Sequence, residues 1–234
     1  MHLMATFINT VLIPLAASNT LVRREMERTT TQAISQMEDK INIIMQKTID
    51  VAIVWVGKLL AGQKKTDYKP RDDVIGGTGT LLELNTSTCL TITNFLQKLQ
   101  NLAVLALSPQ STSLIVFLTE IATNVRSQLL DHYKKFAVSA AGAIMVTKDI
   151  GKYNDVFRSW NLDDSFKPSL EVLTEIGNIF VISPEALRER LRGGARGGGL
   201  GGMGDVWEKG DLRPYVLRRE DASSVGVQSV LGTL

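Results

Sequence analysis

Apolar side chains recur every three or four positions through most of this chain, and the recurrences mark out a series of helices. Between Asn19 and Ala61, Ile34, Met37, Ile41, Ile44, Thr48, Val51 and Trp55 alternate steps of three and four, which gives one long helix a narrow apolar seam. Asn19 is placed to cap it, and Arg23, Arg24, Glu25, Glu27 and Arg28 decorate its early turns with mixed charge. A second helix, about Thr86 to Leu107, carries Cys89, Ile92, Leu96, Leu99, Ala103 and Ala106 in the same spacing until Ser108-Pro109 stops it. A third, about Thr112 to Phe136, lines up Leu114, Phe117, Leu118, Ile121, Val125, Leu129, His132 and Phe136. The fourth, about Val138 to Trp160, opens on Ser139 to Ala143, a run nearly bare of side chain that lets another element come close. Pro168 begins a fifth helix through Leu170, Leu173, Ile176 and Phe180, and Ser183-Pro184-Glu185 supplies the cap, first-turn proline and acid of a sixth. No strand-like alternation of useful length interrupts these runs. The body is all-α.

Between and beyond the helices the pattern lapses. It divides the chain into a long N-terminal helical segment (1–62), a flexible linker (63–85), a helical-bundle domain (86–192), and a glycine-rich linker with a C-terminal tail (193–234). In the tail, Asp211 to Asp221 (DLRPYVLRRED) is expected to form one short amphipathic helix, with frayed residues after it. Leu3 to Ala17 is apolar and ends in small residues like a signal peptide, but no Lys or Arg precedes it and it is too short to span a bilayer. It reads as a buried helix bent at Pro14.

Composition removes several function classes. A formal net charge of +2 gives no global pull toward nucleic acid or anionic lipid, and 6% aromatic residues leave few platforms for stacking bases. Cys89 is the single cysteine, so no internal disulfide can form, and at its seam position it reads as a small buried hydrophobe. His2 and His132 have no second histidine or cysteine at ligand spacing, and His132 falls on an apolar helix side as a hydrogen-bonded core residue. The pairs Asp72-Asp73 and Asp163-Asp164 lie in turns, where acids cap and solvate. Asn85-Thr86-Ser87 matches a glycosylation sequon, but Asn85 sits where a helix cap is wanted. No catalytic constellation, metal-ligand set or cofactor motif emerges: Gly76, Gly77 and Gly79 make only a fragment of a phosphate loop, and the GxGxxG at Gly197, Gly199 and Gly202 has no strand before it. Arg192-Gly-Gly and Arg196-Gly-Gly resemble RNA-binding RGG repeats, a weak match that supports a nucleic-acid alternative only thinly. Lys134, Lys135, Lys148, Lys152, Arg188, Arg190 and Arg192 are the candidate partner-contact residues, a basic patch suited to an acidic protein or lipid headgroups.

The run LLDHYKKFAVSAAGAIMVTKDIGKY (Leu129 to Tyr153) and the run SLEVLTEIGNIFVISPEALRERLR (Ser169 to Arg192) closely resemble the C-terminal region of the Sec-ten subunit of the exocyst, also called exocyst component five. KKTDYKP (Lys64 to Pro70) is similar to a segment upstream in that family, and YVLRRED (Tyr215 to Asp221) looks like its extreme C-terminus in fungal members. The resemblance implies stacked antiparallel helical bundles forming an elongated rod of the tethering-complex type. It also implies a non-enzymatic task, holding secretory vesicles at the plasma membrane before fusion. Implied partners are other exocyst subunits, notably the Sec-fifteen subunit, with peripheral contact to plasma-membrane lipids and neither a small-molecule substrate nor a cofactor. The implied location is cytoplasmic, at sites of secretion. Family members are much longer than this chain, and the glycine run at Gly193 to Gly204 interrupts their pattern.

Overall fold

The structure, a computed structural model, describes residues 6–15, 19–70, 85–109, 111–193 and 209–234. A short helical stretch, of π type over Ile8–Leu12 and continuing as Ile13–Leu15, precedes α1 (Thr20–Ala61), α2 (Ser87–Ala106), α3 (Thr112–Tyr133) and α4 (Ala140–Ser159). A 3-10 turn at Asp164–Phe166 leads into α5 (Lys167–Val181), followed by α6 (Pro184–Gly193), α7 (Lys209–Val216) and α8 (Val225–Leu231). Among the described residues the sole extended feature is an isolated parallel bridge between Val138 and Arg219. The chain divides into two compact units, Met1–Val51 and Ala52–Leu234, and the division falls inside α1.

Most of the longer helices begin where a side chain can take up the amide groups that a first turn leaves bare; α5, entered from Phe166 with Pro168 in its first turn, has no side-chain cap. Asn19 Oδ1 accepts from the Leu21 and Val22 amides at 3.1 and 3.2 Å. Ser111 caps α3 through Leu114, Ser139 caps α4 through Gly142, and Ser183 and Ser224 do the same for α6 and α8. The cap of α2 is Thr86, which accepts from Cys89, and not Asn85 as the sequence suggested; the Asn85 amide is drawn instead to Asp149. Asp163 caps its turn through Ser165, and Asp164 pairs with Lys167 at 2.7 Å. Asn161, at φ 49°, lets the chain leave α4 in the left-handed conformation that asparagine tolerates.

In the second unit α4 and α5 are packed along each other, α2 lies against α4 and α3, and α5 also meets α3 and α7. The predicted stripes of α3 and α5 are buried at every position, from Leu114 to Phe136 and from Leu170 to Phe180. In α2 Cys89, Ile92, Leu96 and Ala103 of the stripe are buried, while Leu99 is half-buried and Ala106 is exposed. The tightest approach falls where the sequence is barest. A Cβ on Gly142 would lie 1.7 Å from the Tyr68 carbonyl oxygen, so only glycine lets α4 start under that strand of backbone. Tyr68 O accepts from the Ser139 amide at 3.0 Å, which fixes the contact.

Three expectations are corrected. The seam of α1 faces outward: Met37, Ile44, Val51 and Trp55 are 39%, 63%, 69% and 48% exposed. The residues of α1 that are buried are Ile49, Ala52, Val56 and Leu60, a second stripe that the nearly continuous apolar run Val51–Leu60 made equally available. The stretch before α1 is not a buried helix, since among its described residues Ile8 alone is buried and Phe7, Val11 and Leu15 stand in solvent. Its widened ladder, with the Ile13 amide reaching the Ile8 carbonyl, precedes Pro14, whose ring would crowd the carbonyl four residues back in an ordinary α-helix. The C-terminal residues are not frayed. The tail carries two helices, α7 on α5 and α8 on α6, with Leu212, Tyr215, Val216, Val227, Val230 and Leu231 buried.

Gly142 and Gly151 sit in the same helix in opposite circumstances, since a Cβ on Gly151 meets nothing within 4 Å. Gly142→Ala is expected to lower unfolding free energy by about 3 kcal/mol or more, because backbone must move to relieve the clash. Gly151→Ala is expected to raise it by up to about 1 kcal/mol through helix propensity. Urea unfolding followed by circular dichroism measures both.

Candidate functional site

Asp149 is fully buried in α4, and its two carboxyl oxygens accept four hydrogen bonds. Oδ2 receives the Tyr68 hydroxyl at 2.9 Å and the Thr86 hydroxyl at 2.6 Å. Oδ1 receives the Thr86 amide at 2.9 Å and the Asn85 side-chain amide at 3.1 Å. Residues 71–84, the glycine-bearing part of the linker, lie outside the described residues, but the positions flanking them are thus drawn to one side chain. A carboxylate taken out of water needs this degree of saturation to be tolerated. The surrounding groups are inert for chemistry. Burial and the Asp149 charge push the Tyr68 phenol well up, and burial first and Asp149 second raise the Cys89 thiol far above its usual range. Cys89 is buried, as its position on the seam implied, and its thiol faces the Asp149 carbonyl at 3.7 Å.

His132 is the core histidine that the pattern indicated. It is 3% exposed, its ring stands 4.6 Å from that of Phe136, and Nε2 lies 2.7 Å from Gln63 Oε1. With Gln63 Oε1 as acceptor the ring carries its hydrogen on Nε2. Burial, helped by the nearby Lys135 charge, lowers its pKa to about 4. Among the described residues no group of three His, Cys, Asp or Glu is placed to hold a metal ion.

A second junction joins the tail to the bundle. Arg219, 9% exposed, donates Nη1 to the carbonyls of Ile179 and Ile182 at 2.6 and 2.8 Å, closing the C-terminal end of α5. Its Nε and Nη2 grip the two oxygens of Asp221 at 2.8 Å each, and these bonds hold the Asp221 carboxyl below the usual range. Val138 exchanges backbone bonds with Arg218 and Glu220, Tyr215 donates to the Leu130 carbonyl, and Arg218 donates to the Lys134 carbonyl. Sequence reading marked YVLRRED as a family-like motif and a short helix. Its structural task, to satisfy carbonyls on α3 and α5, has no signature in the residues themselves.

The seven basic candidates are distributed over three elements. Lys134 ends α3, pairs with Asp131 at 2.8 Å and lies 5.7 Å over the Tyr215 ring; Lys135 beside it is exposed. Lys148 and Lys152 are half-buried one turn apart on α4. On α6, Arg190 is bound to Glu175 at 2.6 Å, Arg188 is half-buried with Nε unpartnered, and the Arg192 side chain lies outside the described residues. Two of the seven are therefore already paired within the chain. The RGG-like run after Gly193 and Gly76, Gly77 and Gly79 also lie outside the described residues. A groove of about 390 Å³ opens beside the Arg219 junction, with Ile144, Phe180 and Val181 on its apolar wall and Ser139, Glu220 and Asp221 on its polar one. No described helix is long and apolar enough to cross a membrane.

Residues 1–231 match a family model described as exocyst complex component Sec10-like, alpha-helical bundle. The chain is 28% identical over 221 residues to exocyst complex component SEC10 of Saccharomyces cerevisiae, covering 94% of this chain and 23% of that protein. It is 30% identical over 162 residues to exocyst complex component 5 of Oryza sativa (69% and 19%), and 22% identical over 193 residues to the Homo sapiens component 5 (82% and 26%). The chain thus spans about a quarter of the length of these relatives.

Two outcomes follow from this geometry. Asp149→Ala strands a buried amide and two hydroxyls and is expected to cost roughly 3–5 kcal/mol. Asp149→Asn is expected to cost less, because hydroxyls can turn to accept from its amide. Both are read from denaturant midpoints. For His132, the folded pKa of about 4 lies below its ordinary 6.5, so the native state binds fewer protons than the unfolded chain between those values. Stability from this group is therefore full above pH 6.5 and is lost on acidification, by roughly 3 kcal/mol as pH 4 is reached. A urea titration series from pH 7 to 4 should show that slope, and His132→Gln should flatten it.

Proposed function

Because this chain belongs to the Sec10-like helical-bundle family of exocyst components, we propose that it serves as a helical section of an exocyst subunit and works by protein–protein contact rather than catalysis. The task is to help hold secretory vesicles at the plasma membrane before fusion, from the cytoplasmic side. The observation that carries this reading is the match of the family model to residues 1–231, which takes in both units and the tail. The chemistry supports it: the buried polar groups are spent on joining helices, and the Cys89 thiol and His132 ring are held in forms unsuited to nucleophilic or acid–base work at neutral pH.

Partners on this reading are other exocyst subunits, with the Sec-fifteen subunit the first to examine, and peripheral contact with membrane lipids is a secondary role. Lys135, Lys148, Lys152 and Arg188 are the basic residues that offer charge to an acidic partner, since Lys134 and Arg190 already hold Asp131 and Glu175.

Immunoprecipitation of the tagged chain from cell extract, read by mass spectrometry, is expected to recover other exocyst subunits. Recovery of none would count against the assignment. Lys148→Glu combined with Lys152→Glu is expected to reduce recovery several-fold while shifting the thermal melt only slightly, because both side chains are half-buried and neither holds an ion pair among the described residues.

A further inference from the structure

The seam of α1 is built like an interior and faces solvent. Ile34, Met37, Ile41, Ile44, Thr48 and Val51 repeat at the alternating three-and-four spacing of a coiled-coil interface over about 26 Å of helix. Ile34 and Ile41 are half-exposed, Ile44 and Val51 largely exposed, whereas the same spacing in α3 is buried throughout. Thr48 does not break the seam, because its hydroxyl is satisfied by the Ile44 carbonyl at 2.8 Å. A contiguous apolar stripe of this kind marks a contact surface.

The charges beside the stripe decide what fits it. Lys40 and Lys47 flank it one heptad apart, both exposed, and neither holds an ion pair among the described residues. Earlier in the same helix Arg23 and Arg28 are paired with Glu27 and Glu25. A parallel second copy in register would set Lys40 and Lys47 opposite Met45 and Ala52, and an antiparallel one would set lysines on a shared flank; even a copy offset by one heptad, which brings Glu38 to Lys40, leaves Lys47 opposite Met45, so no such pairing gives both a counter-charge. Acidic residues on the facing helix would pair both. Segments 71–84 and 194–208 of this chain are glycine-rich and carry no heptad pattern.

We propose that the face of α1 from Ile34 to Val51 docks an amphipathic helix of a separate polypeptide, one with a heptad apolar seam and Asp or Glu where it meets Lys40 and Lys47. This rests on the reading that the chain acts through protein contacts in the exocyst and names the kind of partner that this face takes.

Two synthetic peptides of about four heptads test it, both with Leu and Ile on the seam, one with Glu and the other with Lys on the flanks. Fluorescence anisotropy with the full chain at low salt is expected to show the Glu peptide binding at least about tenfold tighter than the Lys peptide. Ile44→Asp should abolish that binding without moving the thermal melt, because Ile44 is 63% exposed. Lys40→Glu with Lys47→Glu should reverse the preference. Binding of neither peptide, equal binding of both, or binding indifferent to Ile44→Asp would overturn the proposal. So would sedimentation equilibrium showing a dimer that Ile44→Asp dissociates, which assigns the face to a second copy. Undiminished recovery of exocyst subunits by the Ile44→Asp chain would reject this surface and leave the functional reading standing. Peptide binding as described, with no subunit recovered by the unmodified chain, would reject the functional reading alone.

Discussion

One buried carboxylate organises the second unit. Asp149 can stay in the interior because all four of its acceptor directions are used, and the donors come from two places that flank residues 71–84. That arrangement sets the first turn of α2 through Thr86 and seats Tyr68 over the start of α4. Once Tyr68 is there, its carbonyl leaves no room for a side chain at position 142. A polar requirement in the core therefore dictates a glycine two helical turns before it on the same helix. Packing density in protein interiors makes such constraints rigid, since no void exists to absorb an added methyl group.

Most of the helical framework is legible in the sequence, because long three-four periodicity is a strong signal and Ser, Asn and Pro punctuate it. Helix ends were readable to within a few residues for the same reason. The faces were readable where only one apolar stripe exists, as in α3 and α5. They were not readable in α1, where the run from Val51 to Leu60 offers two stripes and periodicity cannot choose between them. The cap of α2 was misplaced by one residue, since the competitor for Asn85 was an aspartate more than sixty positions away. The role of Arg219 at the end of α5 has no signature in the sequence: there its partners are two main-chain oxygens, which any sequence supplies, while its bonds to Asp221 are local.

The tail changes what counts as the bundle. Tyr215 and Val216 are as buried as any residue of α3, and Arg219 closes the end of α5 with bonds to charged and main-chain acceptors at once. Whatever residues 194–208 do, the segment after them belongs to the same core as α3 to α6. The basic residues that a one-dimensional reading gathers into a patch lie at the end of α3, in the middle of α4 and along α6, and two of them serve internal pairs.

A ribosome making this protein releases Leu130 long before the tyrosine that will donate to its carbonyl, since 85 positions separate them. At roughly 5–20 residues per second, the interval is on the order of ten seconds. Through that interval the carbonyls at 130, 134, 138, 179 and 182 are without the donors that the finished chain gives them, and the apolar surface meant for Tyr215 and Val216 is open to water. A nascent chain that stops short of Arg219 therefore carries unmet carbonyls and an uncovered apolar face together, the combination that makes incomplete domains aggregation-prone.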